Sequence, residues 1–78
     1  MLVAVQGYVS RAALERAWSR LQQIEASQDE MPVKQGRASG QIAVLEAALV
    51  ADLVKMFPDE YRQQVEECYA IYHRLLRG

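Results

Sequence analysis

The sequence predicts an all-α protein of three helices, and three observations carry this prediction. Apolar residues recur at the three- and four-residue spacing of a helix over most of the chain. The apolar content is 51% with only four Gly and two Pro, which is typical of a folded chain and not of a disordered one. A Val-rich stretch at residues 1–9 could form a strand, but nothing elsewhere in the chain would pair with it. We therefore expect a helical hairpin of the second and third helices, preceded by an N-terminal amphipathic helix.

The size of the chain limits how much stability its own core can supply. With 78 residues and 8.9 kDa it forms one domain, residues 1–78. Such a domain buries only about 60–65% of its unfolded surface, and its core supplies a net stability of about 3–5 kcal/mol. One Cys excludes an internal disulfide, and one His with one Cys does not make a zinc site. We therefore expect a second copy to complete the core as a homodimeric bundle.

Residues 1–9, MLVAVQGYV, form an apolar N-terminal arm. Its composition is compatible with a short strand or with a helical turn. The arm lacks the basic segment and long apolar run of a signal peptide, and no stretch of the chain is apolar enough to cross a bilayer. The lone Cys68 is compatible with a reducing compartment. We expect a cytoplasmic protein with no membrane contact.

The first helix is predicted over residues 10–27. Ser10 is a suitable N-cap, and Val9 and Leu14 have the spacing of a hydrophobic staple around it. The apolar positions that follow recur at helical spacing: Leu14, Ala17, Trp18, Leu21 and Ile24. After this helix, residues 28–40 contain one Pro and two Gly among polar residues, which predicts a connecting loop; a helical or a mobile segment from Pro32 onward is the alternative.

The second helix is predicted over residues 41–57, with Ser39 as its cap. It is apolar nearly all round, so more than one neighbour must cover it. Its Ala residues repeat every four positions and form a strip where another backbone can approach: Ala43, Ala47 and Ala51. Its other side is filled by larger side chains: Leu45, Leu49, Leu53 and Met56. The third helix begins at Pro58, a residue suited to the first helical position, and extends to Arg77. Its apolar seam follows a heptad-like spacing: Tyr61, Val65, Cys68, Tyr72 and Leu75.

Glu46 lies in the most apolar arc of the second helix. Because a buried carboxylate is costly unless it is paired, an ion pair with an Arg of a neighbouring helix is expected, and an anchor for a partner's Arg is the alternative. Tyr side chains are enriched at protein interfaces, and three of them occur on the third helix. The predicted dimer or partner interface consists of Glu46, Leu49, Leu53, Phe57, Tyr61, Val65, Tyr69 and Tyr72.

The segment Gly7–Ala17 resembles the turn and recognition helix of a helix-turn-helix, in the loose form G-x-V-S-R-x-x-L-x-R-A. The resemblance implies a DNA-binding element around residues 7–20, with Ser10 and Arg11 facing phosphates or base edges. Capping explains the same residues, and a net charge of −1 does not favour nucleic acid as a partner. A small DNA-binding transcriptional regulator is therefore the alternative interpretation.

The sequence contains no phosphate loop, dinucleotide fingerprint, zinc-protease motif or nucleophile elbow. We therefore expect no catalytic residues, no cofactor, no metal and no enzymatic activity. The exposed apolar character of the second helix and the Tyr seam of the third favour a small helical protein–protein interaction module. Such a module would bind a larger protein stoichiometrically as a regulator, inhibitor, chaperone or accessory subunit. The Ala-, Arg- and Leu-rich composition is compatible with a bacterial or phage protein.

Overall fold

The computed structural model describes the backbone of residues 2–78 and the side chains from residue 9 onward. Over this range the chain forms four helices and no strand: α1 Leu2–Ala26, α2 Met31–Ala47, α3 Val50–Met56 and α4 Pro58–Arg77. The all-α class is confirmed, and the predicted number of three helices is wrong. Within the described residues, no helix is both long enough and apolar enough to cross a membrane.

Helix α1 begins well before the predicted start at residue 10. The apolar arm from residue 2 onward is part of this helix, while Met1 and the side chains before Val9 lie outside the described residues. Ser10 is therefore an interior helical residue and not an N-cap. Its side chain is buried, and its hydroxyl donates a hydrogen bond to the carbonyl oxygen of Ala48.

Helix α2 occupies most of the segment that was expected to be a loop. Pro32 lies in its first turn, where the missing N–H costs no helical hydrogen bond. Ala38 is completely buried, so packing against the core outweighs the weak helix propensity of Gly36 and Gly40. The prediction of a loop at residues 28–40 is therefore wrong beyond residue 30, where the alternative of a helix from Pro32 onward is correct, and Ser39 is not a cap.

The predicted second helix, residues 41–57, is broken in two. Leu49 adopts the left-handed helical conformation, with φ 57° and ψ 41°, and separates α2 from α3. An unbroken helix that buries Leu45 would also bury Leu49 four residues later. The break rotates the chain so that Val50 and Leu53 enter the core, while Leu49 remains 46% exposed. The break therefore allows the bundle to bury apolar residues of a segment that has no single polar face.

Helix α4 has the predicted bounds, Pro58 to Arg77. All four helices contribute to one core, and the largest of its fully buried side chains are Leu14, Leu21, Leu45 and Cys68. Two residues of the predicted dimer interface, Leu53 and Tyr61, belong to this core and are buried within a single chain. A second copy is therefore not needed to cover them.

Polar contacts concentrate where α1 ends, α2 begins and α4 ends; we call this the polar end of the bundle. Arg74 donates two hydrogen bonds to the carboxylate of Glu25, at 2.8 and 2.9 Å, and joins α4 to α1. Gln35 donates through Nε2 to the carbonyl oxygen of Leu75 at 2.9 Å. Arg37 pairs with Asp29 at 2.7 Å across the α1–α2 turn. The α2–α3 break lies at the other end of α2.

Candidate partner-binding groove

A groove opens between the α2–α3 break and α4; we call it the break groove. It has a volume of about 240 Å³, and six of its eight lining residues are apolar or aromatic: Leu45, Leu49, Val50, Ala51, Val65 and Tyr69. The other two are the carboxylates Glu46 and Asp52. Since α2, α3 and α4 all contribute, the groove is a product of the fold and not of one helix face.

The break itself shapes the groove. Leu45 and Val50 lie on either side of the break, and both are only 2% exposed, so they form a rigid floor. Val65 and Tyr69 of α4 are half-buried and form one wall. Leu49 and Ala51 are exposed at the rim. The result is a concave apolar surface with a packed base, which suits the binding of an apolar side chain.

Leu49 is the most unusual residue of the groove. Among the described residues it is the sole non-glycine residue with positive φ. The left-handed conformation costs an L-residue about 1–2 kcal/mol, and such strain persists only where the surrounding structure fixes it. Because nearly half of the Leu49 side chain faces solvent, the free energy gained by its burial within the chain offsets little of that strain.

Hydrogen bonds hold the backbone of the break in place. The N–H of Ala48 donates to the carbonyl of Val44 at 3.0 Å, and the N–H of Leu49 donates to that of Glu46 at 3.1 Å. The N–H of Asp52 then donates to the carbonyl of Leu49 at 3.0 Å. The hydroxyl of Ser10 donates a hydrogen bond to the carbonyl oxygen of Ala48. The break is therefore a satisfied and defined structure, with α1 acting as its support.

The rim of the groove is negatively charged. Glu46 and Asp52 are both exposed, neither forms an ion pair within residues 9–78, and no Lys or Arg lines the groove. Burial, and then the negative charge of Glu46, raises the pKa of the Tyr69 phenol above its usual value. Tyr69 therefore remains a neutral wall residue beside a carboxylate. The predicted ion pair of Glu46 with an Arg of a neighbouring helix is wrong, because Glu46 lies about 100° around α2 from the buried Leu45.

The structure brings half of the predicted interface residues together. Four of them line the break groove: Glu46, Leu49, Val65 and Tyr69. Phe57 is 40% exposed and contacts Tyr61 edge-to-face, with ring centroids 6.2 Å apart. Tyr72 is half-buried and packs against the core. The groove residues that sequence reasoning did not select for the interface are Leu45, Val50, Ala51 and Asp52, and the last three owe their position to the break.

The residues proposed for the DNA-binding alternative do not form one surface. Helix α1 continues without a turn through residues 7–20, so the helix-turn-helix geometry is absent there. Ser10 is 3% exposed and bonded to Ala48. The guanidinium of Arg11 lies over the ring of Tyr61, 5.6 Å from its centroid. Of the two predicted contacts, Arg11 alone is open to solvent.

The remaining reactive side chains lie apart from the groove lining. Cys68 is buried, and burial, reinforced by the charge of Glu67, raises the pKa of its thiol to about 11. His73 is exposed and lies beside the rings of Tyr69 and Tyr72, with centroids 6.4 and 5.9 Å away.

The chain has no significant match among protein-family models, curated proteins or solved structures.

Proposed function

We propose that the protein is a small helical interaction module that binds a larger protein stoichiometrically through the break groove. One observation carries the proposal: an apolar groove of about 240 Å³ whose rim includes an exposed Leu49 held in a strained conformation. A partner that buries the Leu49 side chain would recover the apolar contact that the single chain leaves unmade. In this proposal, the strained backbone conformation of Leu49 is the energetic cost of exposing its side chain to the partner.

One exposed apolar side chain at the groove supports a binding role. The large apolar residues that are exposed occur on every helix: Val9, Val33, Val44, Leu49, Met56, Phe57 and Leu76. Single exposed apolar residues are ordinary in soluble proteins. Leu49 is the one of these seven that lines the break groove, so a partner bound there would cover it beside other apolar residues.

Within this class of interaction module, the expected roles are regulator, inhibitor, chaperone or accessory subunit. All four act by occupying a surface of a larger protein, and none needs catalytic residues in this chain. A bacterial or phage origin and a cytoplasmic location accord with the Arg-rich composition and the single Cys. These assignments belong to the proposal and rest on composition.

The homodimer expected from the size of the chain also remains a prediction. The helix face it would use is an outer strip of α2 that exposes small or apolar residues between the polar side chains of Arg37, Ser39 and Glu46: Val33, Gly36, Gly40, Ala43, Val44 and Ala47. Sedimentation over a wide concentration range should give twice the monomer mass. Val44→Glu should give a monomer with unchanged helix content, because it places a charge in that face. A wild-type chain that stays monomeric at the highest concentration would contradict the dimer.

The proposed function can be tested by comparing two exposed leucines. Tagged wild type, Leu49→Gln and Leu76→Gln are used as baits in nuclease-treated host lysate, followed by mass spectrometry. Leu49 and Leu76 are 46% and 49% exposed, so the two substitutions are matched in burial. A stoichiometric partner that is lost with Leu49→Gln and kept with Leu76→Gln supports the proposal. No such partner, or one retained by both variants, contradicts binding through the groove.

A further inference from the structure

The break groove has a charge pattern that restricts its partner. Glu46 precedes Leu49 by three residues, and Asp52 follows it by three, so carboxylates flank the exposed apolar side chain on both sides along the chain. Both carboxylates are exposed and unpaired among the described residues. No cation lines the groove to neutralise them. Residues 41–78 carry six acidic and four basic side chains, so the surrounding charge has the same sign.

The volume of the groove restricts the partner further. Pockets for small molecules and cofactors typically have about 300–1000 Å³, and the break groove, at about 240 Å³, is smaller. It is large enough for one or two protruding side chains. The groove is also bounded by helices alone, and no strand edge is present in residues 2–78 for an extended peptide to pair with. The recognition mode that remains is a helix laid into a groove, with apolar anchors one turn apart.

From these observations we infer that the break groove binds a basic amphipathic helix of another protein. Its apolar anchors would contact Leu49, Val65 and Tyr69. Lys or Arg residues about one turn to either side of the anchors would pair with Glu46 and Asp52. This inference rests on the proposed function and specifies the chemistry of the partner at that same site.

Charge complementarity supplies the specificity in this arrangement. An acidic helix with the same anchors meets two like charges at the rim and is rejected, whereas a basic one is attracted and oriented. Nucleic acid is excluded from the groove for the same reason, because its phosphates carry the sign of the rim. Pairs at an exposed rim are individually weak, at about 0.2–1 kcal/mol each. Two of them should change the affinity by about twofold to thirtyfold.

The test uses the full chain as the target for a displayed library of helical peptides whose surface positions are randomised. Wild type should enrich peptides with Leu, Ile, Met or aromatic anchors flanked by Lys or Arg. Glu46→Gln combined with Asp52→Asn should remove the preference for Lys and Arg. Glu30→Gln is the matched control, because Glu30 is exposed, forms no ion pair in the described residues and lies at the opposite end of α2. It should keep the wild-type preference.

The best synthetic peptide is then titrated by fluorescence anisotropy at low and high salt. Its affinity for wild type should fall with salt, and the double variant should weaken the affinity by about twofold to thirtyfold at low salt. Peptides without a charge preference that still require Leu49 would overturn the inference and leave the proposed function intact. Enrichment unaffected by Leu49→Gln, or none at all, would overturn both. Circular dichroism of each variant confirms that the fold is retained.

Discussion

The hydroxyl of Ser10, inside α1, donates a hydrogen bond to the carbonyl oxygen of Ala48, the first residue after α2. Among the described residues, Ser10 is the sole buried polar side chain. A helix that ends inside a packed bundle leaves carbonyl groups that need donors. Ser10 supplies such a donor at the α2–α3 break, and the contact couples α1 to the shape of the break groove.

Ser10→Ala should lower the free energy of unfolding by about 1–2 kcal/mol, because the carbonyl of Ala48 loses its partner in a buried site. Urea unfolding followed by circular dichroism measures the change. Ser39→Ala is the control, since Ser39 is exposed on α2 and should be unchanged or slightly more stable. Equal stability of the Ser10→Ala and Ser39→Ala variants would show that the contact does not support the break.

Leu49→Gly should leave the protein as stable as wild type or raise its stability by up to about 1 kcal/mol. Glycine adopts positive φ without strain, and this gain is offset in part by the greater entropy of the unfolded chain. Leu76→Gly, at a similarly exposed helical position, should destabilise the protein. If the two glycine variants lose the same stability, Leu49 is not strained. Partner binding should be lost with Leu49→Gly despite the intact fold.

Leu53→Asp and Leu49→Asp should have different outcomes, although both leucines belong to the predicted interface. Leu53 is 3% exposed, and an unpaired buried carboxylate there costs about 3 kcal/mol or more, which is comparable with the whole stability of a domain this small. Leu49→Asp places its charge in solvent and should remain folded. Circular dichroism at room temperature distinguishes the two. An unfolded Leu49→Asp variant would show that the side chain belongs to the core.

The thiol of Cys68 should react slowly with an exogenous disulfide reagent at pH 8. Its pKa is raised to about 11 by burial, so the thiolate fraction at this pH is far smaller than that of a free cysteine. The reaction rate should follow unfolding, and the chain in guanidinium chloride should react at once. Rapid modification of the folded protein at pH 8 would contradict the placement of Cys68 in the core.

The contribution of the Glu25–Arg74 pair to stability should disappear in acid. The hydrogen bond from Arg74 lowers the pKa of Glu25 below its ordinary value of 4.5, an effect that burial partly opposes. Because the pKa of Glu25 is lower in the folded state than in the unfolded state, its ionised form stabilises the fold at pH values above the unfolded-state pKa. This stabilisation is lost as the pH falls through the folded-state pKa. The stability difference between wild type and Glu25→Gln should therefore be positive at pH 7 and disappear as the pH falls below the ordinary Glu value of 4.5. It should be small, because the pair is exposed.

Local signals in the sequence were sufficient where they agreed with the packing. Pro58, the acidic first turn and the basic last turn define α4, and its predicted bounds are those of the structure. The α2–α3 break could not be predicted in this way, since Leu has no preference for the left-handed conformation. The sequence contained one sign that a straight helix would not bury residues 41–57: apolar residues occur on every side of the predicted helix.

The same reasoning explains which groove residues were found. Glu46 and Leu49 were selected for their place on a continuous helix, and they lie in the groove for a different reason, the rotation at the break. Asp52 was not selected, because the groove that it lines is formed by the break and does not exist on a continuous helix. In the first half of α2, the burial of Ala38 favours a helix more strongly than Gly36 and Gly40 favour a loop. Both errors arise where tertiary packing outweighs local preference.

The two ends of the bundle should open independently. The polar end is held by carboxylates, arginines and amide contacts that acid and salt weaken, whereas the break is held by apolar burial and neutral hydrogen bonds. The protection factors of the amides around residues 27–30, corrected for the intrinsic pH dependence of exchange, should therefore fall as salt is added or the pH is lowered, while the amides of α3 keep their protection. The polar end then opens while the break groove stays ordered.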